Sequence, residues 1–567
     1  MSTLICTVPA RSQVPAVQPP PPGSPIPRVL PQTGPNVRPG MLSPPPATAE
    51  PGTTTGSVSL SSVGFEGMTA YPEAALRDLT AGLVGPSVPR AEIERARLAI
   101  LERYRRDGAV FTAVATRLAG GRLTFVVTEG HIANIEIDGD VGPVRAQILR
   151  FLDHLRQEQP LKVASLERWM LLVTDIPGLT AHAVMQPSSG EPGALTLVVQ
   201  VSRKVVEGVV LIDNRAYQFT GPYEGLLSVN ANSLTSLGER TTFSFFHSLN
   251  DSQIFGQAST EMFLGSSGLR FKVYGGAGNT IPTGPLQSFG YFGYTTIFGG
   301  QLSYPLIRQR QQTLSLVANL DAVQSSVSED QGVNGAPERI SYDSERVLRV
   351  GADYAWLDVL AGDTRSATNS IAVKVSQGLP LLGASANGAA DAGRPGERID
   401  FTKVNGEIAR TQTLFSPWPQ ASVSLRADAA GQYSLNVLPP VETFYLGGAT
   451  FNRGYYAGEI TGDSGISFTL EPALNTPVPM PGSWPFQATA QFYVFYDWGQ
   501  TWESRSTDAA HTLRSTGLGV RFFPTGTTDY EFDLEGVKRL QLYPNGTGPG
   551  VSALRSEAFY FQALVRF

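Results

Sequence analysis

Cys6 is the single cysteine of the chain, so no intrachain disulfide can form and thiol chemistry says little about compartment. Nowhere do 18 consecutive apolar residues occur, so no helix is expected to cross a membrane. Charge is scarce: Asp, Glu, Lys and Arg supply 16% of the residues, against a usual figure of about 25%. The net charge of -6 leaves no basic footprint, which excludes nucleic acid as a partner. His131, His154, His182, His247 and His511 lie far apart without metal-ligand spacing, so no metal site is assigned. No Gly-Lys-Ser/Thr phosphate loop exists, and no cofactor or nucleotide-driven motor is implied. The "GDSG" of Gly462 to Gly465 matches a serine-protease nucleophile only in part, because Ile466 follows where a Gly is needed and no upstream His/Asp arrangement supports it. The chain is not read as an enzyme.

What is present is glycine, 59 residues of it, with aromatics at 9%. A chain of 567 residues exceeds what one core usually holds, so two or more domains are expected. Low charge, abundant Gly and no spanning helix leave two classes open, an all-β soluble protein and a membrane β-barrel.

The first ten residues, "MSTLICTVPA", look like the tail of an export signal but lack a positive start. Residues 1–56 form a Pro-rich leader, with "PPPPGSPIP" extended rather than packed. Order is expected from Ser57. In "AEIERARLAILERYRRDG", Ile93, Ala96, Ile100 and Tyr104 recur at helical spacing, and Gly108 ends the helix. Strands "RLTFVVTEG" and "HIANIEIDGD" follow. A second unit repeats the order, with helices over 143–155 and 163–173 and strands "LTAHAVMQ" and "ALTLVVQVSRK". The two α/β units, 57–129 and 130–204, resemble polypeptide-transport-associated (POTRA) domains, and "VVTEGHIANIEIDGD" resembles that family's boundary between successive units.

From 205 onward the hydrophobic period is two. In "WPFQATAQFYVFYDW", Trp484, Phe486, Ala488, Ala490, Phe492, Val494, Tyr496 and Trp498 share one face, and Gln487, Thr489, Gln491 and Asp497 the other; Tyr493 and Phe495 spoil the second face. In "TDYEFDLE", Tyr530, Phe532 and Leu534 alternate with carboxylates that face either bulk water or a wet lumen. About sixteen such segments begin near residues 205, 223, 238, 254, 268, 291, 311, 344, 368, 399, 417, 465, 484, 511, 527 and 555, an even number as bacterial barrels require. Long connections, over Gly276–Ser288, Ser325–Glu338, Gln377–Arg398 and Asp428–Ser464, all follow odd-numbered strands. A soluble sandwich has no reason for this, whereas a barrel with short periplasmic turns and long outer loops does. The fold class expected is therefore a transmembrane β-barrel of about 16 antiparallel strands, preceded by two small α/β POTRA domains, with outer-membrane lipid around the barrel. In "EAFYFQALVRF" the alternation ends on Phe567, which resembles the C-terminal signal of outer-membrane barrels and implies contact with the barrel-assembly machinery.

The most specific stretch is "FYLGGATFNRGYYAGEITGDSG". It resembles the Arg-Gly-Tyr loop of two-partner secretion transporters, the hemolysin secretion/activation class, and the resemblance extends over about 57–567. It implies that loop 428–464 folds back into the barrel and that Arg453, with Gly454 and Tyr455, engages an acid in a Phe-x-Asp-x-Gly motif on the thirteenth strand, here Phe495, Asp497 and Gly499. Alternation independently turns Asp497 inward, where an Arg meets it with charge-assisted hydrogen bonds, and Gly454 removes a Cβ that would clash. One departure is Asn452, where the family usually has Val. The function implied is export of an unfolded partner protein, captured in the periplasm and passed through the outer-membrane barrel. An assembly factor that inserts other proteins, and a passive diffusion porin, are the alternatives.

Overall fold

The computed structural model describes residues 56–330, 337–360, 365–482, 487–505, 509–526, 528–546 and 552–567. The leader, with Cys6, and the outward positions expected for Trp484 and Phe486 lie outside the described residues.

Two small α/β layers come first. Helix α1 (Arg90–Arg106) presents Ile93, Ala96, Ile100 and Tyr104 as one buried stripe, and Gly108, at φ +88°, reverses the chain after it. The stripe packs on strand Arg122–Thr128, whose Leu123, Phe125 and Val127 alternate inward between a parallel neighbour, Ser62–Glu66, and an antiparallel one, Ala113–Ala119. The second layer sets α2 (Arg145–Leu152) and α3 (Val163–Thr174) on a sheet of His131–Asp138, Ala194–Arg203 and Leu179–Pro187, the middle strand being Ala194–Arg203. At the end of the first layer the Glu129 carboxylate accepts hydrogen bonds from the Tyr104 hydroxyl (2.7 Å) and the Thr69 and Ala70 amides (3.0 Å each), and the second layer joins the first where the Val163 amide donates to Gly108 O (3.0 Å).

Among the described residues, sixteen antiparallel strands then close on themselves. They are β1 (Val206–Asp213), β2 (Glu224–Asn232), β3 (Arg240–Ser248), β4 (Gln253–Phe263), β5 (Arg270–Thr280), β6 (Phe292–Arg308), β7 (Gln312–Asp330) and β8 (Pro337–Val359). The circuit continues with β9 (Ser366–Gly378), β10 (Thr402–Phe415), β11 (Ser422–Ser434), β12 (Ser464–Val478), β13 (Gln487–Trp502), β14 (His511–Thr525), β15 (Asp529–Arg539) and β16 (Glu557–Arg566). The last strand pairs with the first over Gln562–Arg566 and Val209–Asp213, so no open edge remains. Period-two alternation produces the wall: Phe243, Phe298 and Leu518 are 61, 64 and 65% exposed on the outer face, where a water-soluble protein would not strand them and lipid would cover them.

Three boundaries differ from the sequence reading. Most of Ser325–Glu338 is strand rather than loop, because β7 runs to Asp330 and β8 starts at Pro337; paired hairpin strands satisfy each other's backbone groups whatever the polarity of their side chains. Gly276–Thr280 belongs to β5 for the same reason. The inward loop begins after Ser434 and not at Asp428, since β11 stays paired with β12 through Gln432.

The second α/β layer is docked on the short turns of the barrel. Phe151 meets Phe263 edge-on with ring centres 5.2 Å apart, the Gln147 amide donates to Gly265 O (2.9 Å), and Arg308 reaches Asp175 through Nη2 (2.7 Å) and Nε (2.8 Å). These contacts place the α/β domains at the turn end and the long loops at the other.

Candidate functional site

Between β11 and β12 the chain does not stay outside. Phe444–Leu446 and Ile460–Gly462 pair as a two-stranded stem, and Phe444, Leu446, Tyr455 and Ile460 pack with Leu513 of β14 into a small apolar core within the lumen. Gly447 and Gly448, at φ +105° and +90°, make the turn that carries the tip downward; a Cβ on Gly447 would lie 1.9 Å from the Tyr456 carbonyl.

The tip ends on Arg453, which is 8% exposed. Its amide N–H donates to Asp497 Oδ2 at 2.8 Å, its Nε to the same oxygen at 3.2 Å, and its Nη2 to Oδ1 at 3.2 Å. Nη1 donates to Glu471 of β12 and lies 3.7 Å from Glu535 of β15. The guanidinium stands 3.9 Å above the centre of the Phe495 ring. A buried cation is costly alone, and three carboxylates with an aromatic face meet that cost here.

This explains the two aromatics that interrupt the inward face of β13. Phe495 is the floor under Arg453, and Tyr493 donates its hydroxyl to Glu535 (2.7 Å) and Asp533 (2.6 Å). Both rings lie over glycines of β14: a Cβ on Gly517 would sit 2.7 Å from the Phe495 ring, and one on Gly519 2.5 Å from that of Tyr493. The glycines are therefore recesses for the rings.

Gly454 is needed for contact rather than for an unusual φ, since a Cβ there would lie 2.4 Å from Ser515 Cβ. Its carbonyl accepts from Arg539 Nε (2.6 Å) and the Tyr560 hydroxyl (3.2 Å). The Tyr455 hydroxyl donates to Arg514 O (2.6 Å) and accepts from the Gln541 amide (3.1 Å). Asn452, at φ +55°, occupies the left-handed region that Asn tolerates and a β-branched residue does not, and its Oδ1 accepts from Ser467 (3.2 Å). Gly499 makes room for it, because a Cβ there would come within 2.4 Å of Asn452 Oδ1.

The family model of the haemolysin secretion/activation proteins ShlB/FhaC/HecB matches residues 194–522, more than half of the chain and the stretch that contains both Arg453 and Asp497. The chain belongs to this family. The heme/hemopexin transporter protein HuxB of Haemophilus influenzae is 22% identical over 420 residues, 71% of this chain and 70% of HuxB. CdiB from Escherichia coli superposes with a TM-score of 0.70 at 18% identity, covering 93% of this chain and 94% of CdiB. CdiB from Acinetobacter baumannii gives 0.61 at 16% identity, covering 94% and 93%. The two CdiB likenesses extend over both the α/β layers and the barrel. As a haemolysin secretion/activation protein, the chain is an outer-membrane transporter of the two-partner type, with its POTRA domains in the periplasm and its barrel in the outer membrane.

Several members of the Arg453 site were not assigned to it from sequence. Glu471 and Glu535 sit on inward faces that alternation alone indicates, flanked by the outward Leu470 and Leu534. Arg521 bridges Glu471 (Nη1 to Oε1, 2.6 Å) and Asp533 (Nε to Oδ2, 3.2 Å), while Arg215, just past β1, ion-pairs with Glu535 and donates to Arg453 O at 2.8 Å. No local pattern links Arg215 to residues over 200 positions away. Phe567 lies far from this cluster, at the seam: it exchanges backbone hydrogen bonds of 2.9 and 3.0 Å with Gly208, and its ring covers that glycine.

Proposed function

We propose that Arg453, Gly454 and Tyr455 form a fixed latch that holds the inward loop against β12–β16 while the partner protein passes through the rest of the lumen. The observation that carries this reading is the Arg453 site itself, in which a loop cation is buried among carboxylates of three different strands. A diffusion porin has no use for such a clamp joined to periplasmic domains. Capture of the unfolded partner takes place by strand addition at POTRA edges, of which Ala113–Ala119 and Leu179–Pro187 are each paired on one side only. Backbone hydrogen bonds then supply affinity without strict side-chain readout. Lipid contacts the outward aromatic and aliphatic face, and the barrel-assembly machinery reads the strand that ends on Phe567.

The test separates pore from capture. Reconstituted in planar bilayers, residues 57–567 and residues 205–567 are both expected to form channels, while secretion of the partner requires the longer chain. Equal secretion by the barrel fragment would overturn the capture role.

A further inference from the structure

The Arg453 latch lies against β12–β16 and leaves the other half of the lumen to be explained. In that half a cavity of about 520 Å³ extends from Asp175 and Arg308 at the POTRA end, past Asp353, Lys374 and Asn405, to Phe451 on the flank of the inward loop. Its wall mixes apolar groups such as Val317 and Ile371 with charges of both signs, which suits an extended polypeptide with no preferred sequence.

Following the same inward faces toward the long loops, the cavity stops. Two residues before Asn405 on β10 stands Lys403, and four before Asp353 on β8 stands Arg349. Both converge on Glu442, which belongs to the first limb of the inward loop and is 2% exposed. Lys403 Nζ lies 2.7 Å from Glu442 Oε2, Arg349 Nη1 donates to the same oxygen at 3.0 Å, and Arg349 Nε donates to Asp321 at 2.9 Å. Gln432 of β11 completes the layer, donating to Glu442 O (2.9 Å) and accepting from Asn405 (2.7 Å) at the roof of the cavity. Directly above, Val347, Phe401 and Leu438 pack together with no exposed surface. The loop between β9 and β10 then clamps the limb from outside, with Arg394 donating to Leu438 O and to Asp463 at 2.6 Å each, and the Arg398 amide donating to Val437 O at 2.9 Å.

The chemistry of this layer favours reversibility. A barrel wall closed by its own backbone hydrogen bonds needs no buried carboxylate from a loop, and apolar packing would be at least as stabilising. When the limb leaves, however, Arg349 and Lys403 face an aqueous conduit that can solvate them, so separation does not strand a charge in a dry interior. The Arg453 tip is different: besides its carboxylates it is held by Arg215 on its own carbonyl, by Arg539 and Tyr560 on the Gly454 carbonyl, and by close packing of Gly454 on Ser515, so many contacts must break together before it moves. One anchor is built to part and the other to stay.

We propose that the limb 435–443 is the exit gate of the transporter, closed by Glu442 on Arg349 and Lys403 and by Leu438 on Val347 and Phe401, and that the partner leaves along β4–β11 when this limb swings while Arg453 remains latched. The proposal rests on the transporter reading above.

The experiment measures conductance of the full chain in planar bilayers beside secretion of its partner. Glu442→Gln weakens the charged layer and Leu438→Ala the apolar one without touching the ion pairs; each is expected to raise conductance several-fold with heat-resistant barrel mobility unchanged. If Glu442→Gln does not insert, Leu438→Ala decides. As a second measurement, Lys403→Cys with Glu442→Cys, in a Cys6→Ser background and joined by a bifunctional thiol reagent, is expected to block secretion. Wild-type conductance from the inserted variants, or unimpeded secretion from the cross-linked protein, overturns the gate. A wild-type chain that secretes no partner would instead refute the transport reading, whatever the conductance.

Discussion

Asp497 takes both the backbone amide and the guanidinium of Arg453, so one carboxylate fixes the position of the loop and the charge it carries. The remaining guanidinium nitrogen is turned to Glu471 and Glu535. Removing the cation therefore strips Asp497 of its ion pair and leaves Glu471 and Glu535 to Arg521 and Arg215, whereas removing Asp497 leaves a cation that still has two partners.

An asymmetric pair of phenotypes follows. Arg453→Ala is expected to cost about 3–5 kcal/mol in loop anchoring and Asp497→Ala less, both with the barrel inserted and secretion impaired. The double variant should be little worse than Arg453→Ala, because the shared contact is lost once. The exchange Arg453→Asp with Asp497→Arg should not rescue, since an acid at 453 would meet Glu471 and Glu535. A secretion assay on all four checks this, and defects that simply multiply would show the two residues acting independently.

Gly454 offers a steric test of the same latch. Its added Cβ would meet Ser515 Cβ at 2.4 Å and Val537 Cγ1 at 2.9 Å, so Gly454→Ala should lift the tip and reduce secretion, at a cost of about 1–3 kcal/mol. Adding Ser515→Gly removes the nearest obstacle and should restore part of the activity. Adding Ser515→Ala keeps that obstacle and should not. Equal behaviour of the two double variants would mean that the loop tip is not seated where this contact places it.

The barrel was legible because period two survives any loop: Tyr530, Phe532 and Leu534 point outward, as their alternation with acids indicates. The inward set was legible only in part. Asp533 and Glu535 were visible as a carboxylate row, but their partners Arg521, Tyr493 and Arg215 come from other strands, and nothing local in the chain announces a cross-barrel pairing. Tyr493 and Phe495 read as faults in the pattern because the groups their ring faces serve are cations from other segments, Arg521 over Tyr493 and Arg453 over Phe495, each 3.9 Å from the ring centre. The extension of β8 back to Pro337 was missed for a different reason: polar residues above the lipid carry no alternation signal, although their backbone pairs as well as any other.

In the periplasmic half, pH should act through Glu129. Burial alone would raise its pKa, but hydrogen bonds from Thr69, the Ala70 and Thr69 amides and Tyr104 outweigh burial and hold the carboxyl below the usual glutamate range. A depressed folded-state pKa means stabilisation that is complete above the unfolded value, about 4.3, and is lost as pH falls through the lower folded value. Hydrogen-exchange protection of residues 69–71 in the full chain should therefore weaken on acidification below that range. Glu129→Gln should be less protected at neutral pH and largely insensitive to the same acidification. Unchanged protection in the variant would mean that Glu129 does not hold the 69–70 turn onto the first layer.

Phe567 separates recognition from closure. Its amide and carbonyl bond Gly208 through the backbone, and its ring lies across that glycine on the outer face of the seam. Phe567→Ala keeps the backbone pairing, so the β16–β1 junction should still close when the protein is refolded into detergent, with wild-type heat-resistant mobility. If the assembly machinery reads the terminal ring, the same variant should insert poorly in cells. Deleting Phe567 removes ring and backbone bonds together and should lower both yields. The comparison of refolded and cell-inserted fractions for the two variants is decisive: a Phe567→Ala protein that is equally defective in both settings would assign the ring to packing at the seam, and one equally proficient in both would leave the terminal aromatic no part in assembly.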